Sequence, residues 1–283
     1  MATQSLTTTS FVRDWAEFEE KLQWLHSQVS SDHPVLEEPI FRGQGNAEWK
    51  LTTTLERFAD TERNRTALSL RAYYRKITAA KRLLEGLTGK QWADVPDPLE
   101  FEDRLQQDPF RWLDLFLNKQ PGIYEYLVYL RHHDFPSPLL DWTASPYVAA
   151  FFAFNAVEPG ADHVCVYAFL RSRQRSVSGD PHFFTVGPYM CTDKRHYVQQ
   201  CRYSMCVGRD GDDYCFRSHE DVLVNANGTQ GQLFKLRMPV VERRTVLRKL
   251  ELMNINEYSL FGSEDALVRT ISQRECYFSD WQL

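Results

Sequence analysis

Residues 163–170 read His-Val-Cys-Val-Tyr-Ala-Phe-Leu, an almost unbroken apolar run. A short run of this kind predicts a central strand buried on both faces. Other strands are expected near 139–142, 195–205, 213–217 and 232–238. Pro39 to Gly43 read as a short strand that stops at a glycine, and 44–54 as a loop. Trp15, Phe18, Leu22, Leu25 and Val29 are spaced by three and four, which is one apolar stripe of a helix. Helices are also predicted over 62–88, with Tyr73, Ile77, Ala80 and Leu84 on one face, and over about 98–118, 122–133, 242–253 and 264–272. Ser145 can cap a helix whose first residue is Pro146 and which ends near Phe154. Helices dominate the first half and strands the second, so the fold class is α+β. Residues 1–10 are polar and read as a flexible tail.

Composition narrows the function classes. With 283 residues, 43% of them hydrophobic, the chain can bury a large core as one domain or two closely packed ones. A formal charge of −5 argues against a non-specific nucleic-acid coat, although a local basic patch could still touch RNA or DNA. The start, MATQSLTTTS, lacks the pattern of a signal peptide. The longest apolar run, around Tyr147 to Phe154, is too short to span a bilayer. The expectation is a cytoplasmic protein without a membrane partner. The six cysteines contain no CxxC pair and are expected to be reduced thiols. Cys201, Cys206, Cys215 and His219 do not match the usual structural-zinc spacings, so no metal site is expected. HEXXH and Walker A patterns are absent. A Ser145–His132–Asp141 triad can be drawn, but no GxSxG elbow accompanies it.

Phe41-Arg42-Gly43-Gln44, followed by Trp49 and Leu51, resembles the opening motif of the FRG domain family, named for its Phe-Arg-Gly tripeptide. His132 to Pro146, followed by Ala149-Ala150-Phe151-Phe152-Ala153, closely resembles that family's second block. Arg195, Gln199, Cys201 and Tyr203 are similar to a weaker third block, and Asn254–Asn256 with Ser259–Phe261 to the family's finish. Asp134 and Cys201 depart from the pattern, each standing where glycine is usual. The resemblance implies a single FRG-type domain over 11–283 with a large helical insertion at about 60–120. Through the likeness of that family to ADP-ribosyltransferases it further implies a split β core, with NAD as co-substrate.

The resemblance implies catalytic roles for Arg42, His132, Asp141 and Gln199. It places the dinucleotide against Phe41, Arg42, Gly43, Gln44, Trp142, Thr143, Ser145 and Tyr147. A guanidinium on a rigid strand can donate two parallel hydrogen bonds to phosphate or ribose oxygens. Gly43 would let the ligand approach the backbone, and Trp142, Tyr147 or Phe151 could stack on its rings. Departure of nicotinamide leaves positive charge on the ribose, which a polar or anionic group would stabilise. Structural alternatives stand beside each role. Arg42 could pair with Asp141, and Asp141 could accept from the turn that follows it. His132 could cap a helix C-terminus, Trp142 could be core, and Ser145 a helix cap. Glu220 and Glu264 sit in no defensible motif, and Gln199 cannot act as a base. The expected function is an intracellular ADP-ribosyltransferase toxin or defence effector, with an antitoxin-like partner. RNA or DNA is favoured slightly over protein as acceptor. NAD hydrolysis and a non-enzymatic nucleotide- or partner-binding module are the alternatives.

Overall fold

A computed structural model describes residues 7–29, 37–107, 121–171, 181–187, 194–225 and 231–278. The strands are β1 (Thr7–Phe11), β2 (Ile40–Gln44), β3 (Leu140–Thr143), β4 (His163–Arg171), β5 (His182–Val186), β6 (Cys201–Asp210), β7 (Asp213–Phe216) and β8 (Gly231–Pro239). They form one mixed sheet in the order β1-β8-β4-β2-β3-β6-β5, with β7 also on β6. The α-helices are α1 (Trp15–Ser27), α2 (Thr54–Thr61), α3 (Leu70–Thr88), α4 (Pro98–Gln107), α5 (Pro121–His132), α6 (Pro146–Asn155), α7 (Lys194–Val198), α8 (His219–Asn225), α9 (Arg243–Leu252), α10 (Glu257–Phe261) and α11 (Glu264–Ser272). The mixed α/β class agrees with the sequence, and no described helix is long and apolar enough to cross a membrane.

β4 behaves as its apolar run predicts. Its even-numbered residues Val164, Val166, Ala168 and Leu170 pack with α1, α6 and α9. Cys165, Tyr167 and Phe169 pack on the other face with Trp142, Phe183 and Val222. A third cluster joins α3, α4 and α5 to the sheet through Phe184, Tyr203, Met205 and Val207. The helical block therefore rests on β5 and β6 instead of standing apart as a separate unit.

Two predicted boundaries differ. Thr7–Ser10, read as part of a flexible tail, pair with β8 as a parallel edge strand. Polar threonines conceal that strand, because an edge needs only backbone partners. Residues 195–200, read as the start of a strand, are mostly the short helix α7 and a turn in which Gln200 has φ 49°. Residues 108–118 of the predicted helix lie outside the described residues. α6 follows prediction: Ser145 accepts from the Val148 N–H, with Pro146 in the first turn.

Candidate functional site

The centre of the sheet contains a seam. β2 pairs with β4 over five residues, but with β3 only through Phe41 and Thr143. Alternation along β2 sends Phe41 into the core beside α1 and α6, and Arg42 to the opposite face. Beyond the single pair, the Arg42 guanidinium replaces the missing ladder contact. Its Nη1 donates to the Asp141 carbonyl at 2.7 Å and lies 3.8 Å from the Asp141 carboxylate. The same carboxylate accepts from Arg131 Nη2 at 2.6 Å.

A cleft of about 780 Å³ opens over this seam, within the size range of small-molecule and cofactor sites. Among the described residues, five cationic side chains line it, Arg42, Lys50, Arg57, Arg131 and Arg195, against two carboxylates, Asp134 and Asp141. Cationic side chains thus outnumber carboxylates among the described lining residues of a chain whose formal charge is −5. Burial pushes the Arg42 pKa below its ordinary value; Asp141 opposes the shift, while Arg131 and Arg57 reinforce it. Arg57 is lowered by burial and then by Arg131. The three guanidinium groups thus repel one another, and among the described residues Arg42 Nε is buried without a hydrogen-bond partner. An anion entering the cleft would relieve both conditions.

Arg42, His132, Asp141 and Gln199 all line this cleft. His132 Nε2 lies 3.0 Å from the Tyr203 hydroxyl. Gln199 is a clasp: its Nε2 donates to the Leu260 carbonyl at 3.0 Å, and its backbone carbonyl accepts from Thr143 Oγ1 at 2.7 Å. Gln44 lines the cleft and donates to the Lys50 carbonyl, closing the loop after β2. Trp142 also borders the cleft, but its ring is core. Its Nε1 donates to Ser204 Oγ at 2.7 Å, and that oxygen lies 2.8 Å from His219 Nε2. Burial, followed by Arg42, pushes the His219 pKa down to about 3, so this backing residue is neutral.

Other assignments change. Ser145 and Tyr147 do not line the cleft. Ser145 is occupied as the α6 cap, and Tyr147 stacks on Trp15 at 5.7 Å. Phe151 is buried in the core, as is the ring of Phe41. Gly43 has a packing reason distinct from ligand approach. A Cβ there would stand 2.7 Å from Ala153 N and inside contact distance of the Ala149 carbonyl, both on α6. Among the described residues the aromatic rings that are both exposed and cleft-lining are Trp49 and Phe261, 43% and 37% exposed. Sequence reasoning misses them as ring surfaces, and it misses Arg57 and Arg131 altogether. Arg131 directly precedes the His132 block, which is the signal that could have found it; Arg57 carries no local mark of function.

Some candidate groups take no part in the site. Glu220 accepts from Leu51 N at 3.1 Å and does not line the cleft. Burial pushes the Cys201 thiol up to about 11 and the Cys165 thiol up to about 12, so both stay protonated. Among the described residues no group of three or more His, Cys, Asp or Glu side chains could hold a metal ion.

The fold and site define a mixed α/β protein with a cationic cleft at the sheet seam. Residues 37–161 match the family model of the FRG domain, so the chain carries an FRG domain. The match runs from ahead of β2 to the turn before β4 and includes the helical block and both leading motifs. Residues 195–203 and 254–261, also similar to family blocks, lie beyond it. Neither the curated proteins nor the solved structures provide a match.

Proposed function

We propose that this protein is an NAD-dependent ADP-ribosyltransferase, an intracellular toxin or defence effector that modifies a macromolecule. One observation carries the proposal: Arg42 and Arg131 face Asp141 at the seam, and Arg57 lines the same cleft. Three guanidinium charges against one carboxylate leave a surplus of two. The diphosphate of a dinucleotide carries two negative charges, and guanidinium forks suit its oxygens. The two-part sheet, joined at β2 and β3 by a single residue pair, supports an ADP-ribosyltransferase-like split core. Trp49 and Phe261 offer surfaces for the two rings.

In this reading the arginines hold the diphosphate. The C1′–N bond of the nicotinamide riboside then breaks, and its electron pair leaves with nicotinamide. The charge left on the ribose makes C1′ open to attack by an acceptor oxygen or nitrogen. RNA or DNA fits the basic cleft better than a protein acceptor does. A neutralising partner protein would protect the producing cell.

The test incubates labelled NAD with the purified protein and cell extract. Nicotinamide release with label on a macromolecule is expected. Free ADP-ribose without labelled macromolecule would select NAD hydrolysis, and NAD bound but never consumed would select a binding module. Inorganic pyrophosphate should also raise the melting temperature by relieving the arginine repulsion. Trp49→Ala should raise KM for NAD by about tenfold with little change in kcat, the size expected for one lost ring stack. An unchanged KM would remove Trp49 from the site.

A further inference from the structure

We propose that Asp134 is the catalytic carboxylate of the cleft, the group that takes the acceptor's proton as the ribosyl bond forms. This rests on the transferase reading above. Among the described residues two carboxylates line the cleft, and they differ in circumstance. Asp141 is held by Arg131 at 2.6 Å and faces Arg42 at 3.8 Å, so its charge is already matched. Asp134 is exposed on the wall, and among the described residues its carboxylate has no hydrogen-bond or ion-pair partner.

The backbone gives an independent reason. α5 ends in a turn in which Phe135 N donates to the Leu130 carbonyl at 3.0 Å and His133 N to the Tyr129 carbonyl at 3.2 Å. Asp134 is the left-handed residue of that turn, with φ 59°. Glycine adopts this conformation without strain and commonly ends helices this way. An aspartate tolerates it less well than glycine. Arg63, Gln200 and Asn254 share this conformation, but of the four described residues Asp134 alone carries a carboxylate and lines the cleft. His132, two residues earlier, is engaged with Tyr203 at 3.0 Å.

The step balances. The C1′–N bond breaks and nicotinamide leaves neutral with the electron pair. The acceptor O–H or N–H attacks C1′, the new C1′–O or C1′–N bond forms, and the acceptor's proton passes to an Asp134 carboxylate oxygen. Water then carries that proton away and restores the carboxylate.

The experiment compares wild type, Asp134→Gly, Asp134→Asn and Asp134→Glu in full-length protein. Three readouts are taken: NAD binding, label transfer to the acceptor, and melting temperature. Asp134→Gly and Asp134→Asn should bind NAD within about twofold of wild type and melt no lower. Their label transfer should fall by about 10²- to 10⁴-fold, and Asp134→Glu should recover part of it. Transfer within about fivefold of wild type in the glycine variant overturns the assignment. So does a loss of NAD binding that accounts for the whole fall. A wild-type protein that never releases nicotinamide overturns the transferase reading itself, and this assignment with it.

Discussion

Replacing Gly43 by alanine is expected to cost the protein most of its stability, with a melting temperature lowered by more than about 10 °C or no recoverable folded protein. The new Cβ would meet two backbone atoms of α6, the Ala149 carbonyl and the Ala153 nitrogen. Backbone cannot rotate away as a flexible side chain can, so α6 would have to move as a unit. The helix is fixed at its start by the Ser145 cap and packed in one core with α1 and α9. Overpacking costs about 1–3 kcal/mol where side chains can yield; here the cost should exceed about 4 kcal/mol, against a total of about 5–15 kcal/mol. Gly45→Ala should behave similarly, because its Cβ would strike the Ala156 carbonyl. Thermal unfolding followed by circular dichroism decides the matter. A Gly43→Ala protein melting within about 2 °C of wild type would contradict the close approach of α6 to β2.

That contact also explains why the leading motifs are legible in the sequence. The glycine of Phe41-Arg42-Gly43 and the alanines of Ala149-Ala150-Phe151-Phe152-Ala153 lie against each other, so two distant blocks record one packing arrangement. The β4 run and the Ser145-Pro146 cap are equally readable, since each follows from local chemistry. Less can be read where tertiary contacts decide. Thr7–Phe11 looks like a polar tail until β8 is beside it. Tyr147 and Phe151 look like stacking surfaces until α6 is oriented, which buries Phe151 in the core and lays Tyr147 against Trp15. Arg57 and Trp49 enter the cleft only because the seam brings their segments to Arg42. Arg42, His132, Asp141 and Gln199 share that cleft, but Gln199 spends its amide on Leu260. Asp134 stands out in the sequence only as a departure from glycine; its left-handed φ supplies the physical meaning of that departure.

Replacing Arg42 by alanine is expected to lower nicotinamide release by about a hundredfold to a thousandfold, the scale for losing one preorganised donor. Stability should move much less. The lost hydrogen bond to the Asp141 carbonyl costs about 1–2 kcal/mol. Asp141 does not become an unpaired charge, because Arg131 still holds it at 2.6 Å. Removing Arg42 also relieves its repulsion of Arg131 and Arg57. The net fall in melting temperature should therefore be a few degrees. Arg42→Lys should not restore activity. One ammonium cannot reach the Asp141 carbonyl and also present a fork to a diphosphate, and burial favours its neutral form. Pyrophosphate separates the two roles of Arg42: it should stabilise wild type strongly and Arg42→Ala weakly. Equal stabilisation of both proteins would mean that Arg42 only joins β2 to β3, leaving Arg57 and Arg131 as the anion site. A collapse in stability with pyrophosphate binding intact would lead to the same conclusion, because the seam and the ligand would then use different arginines.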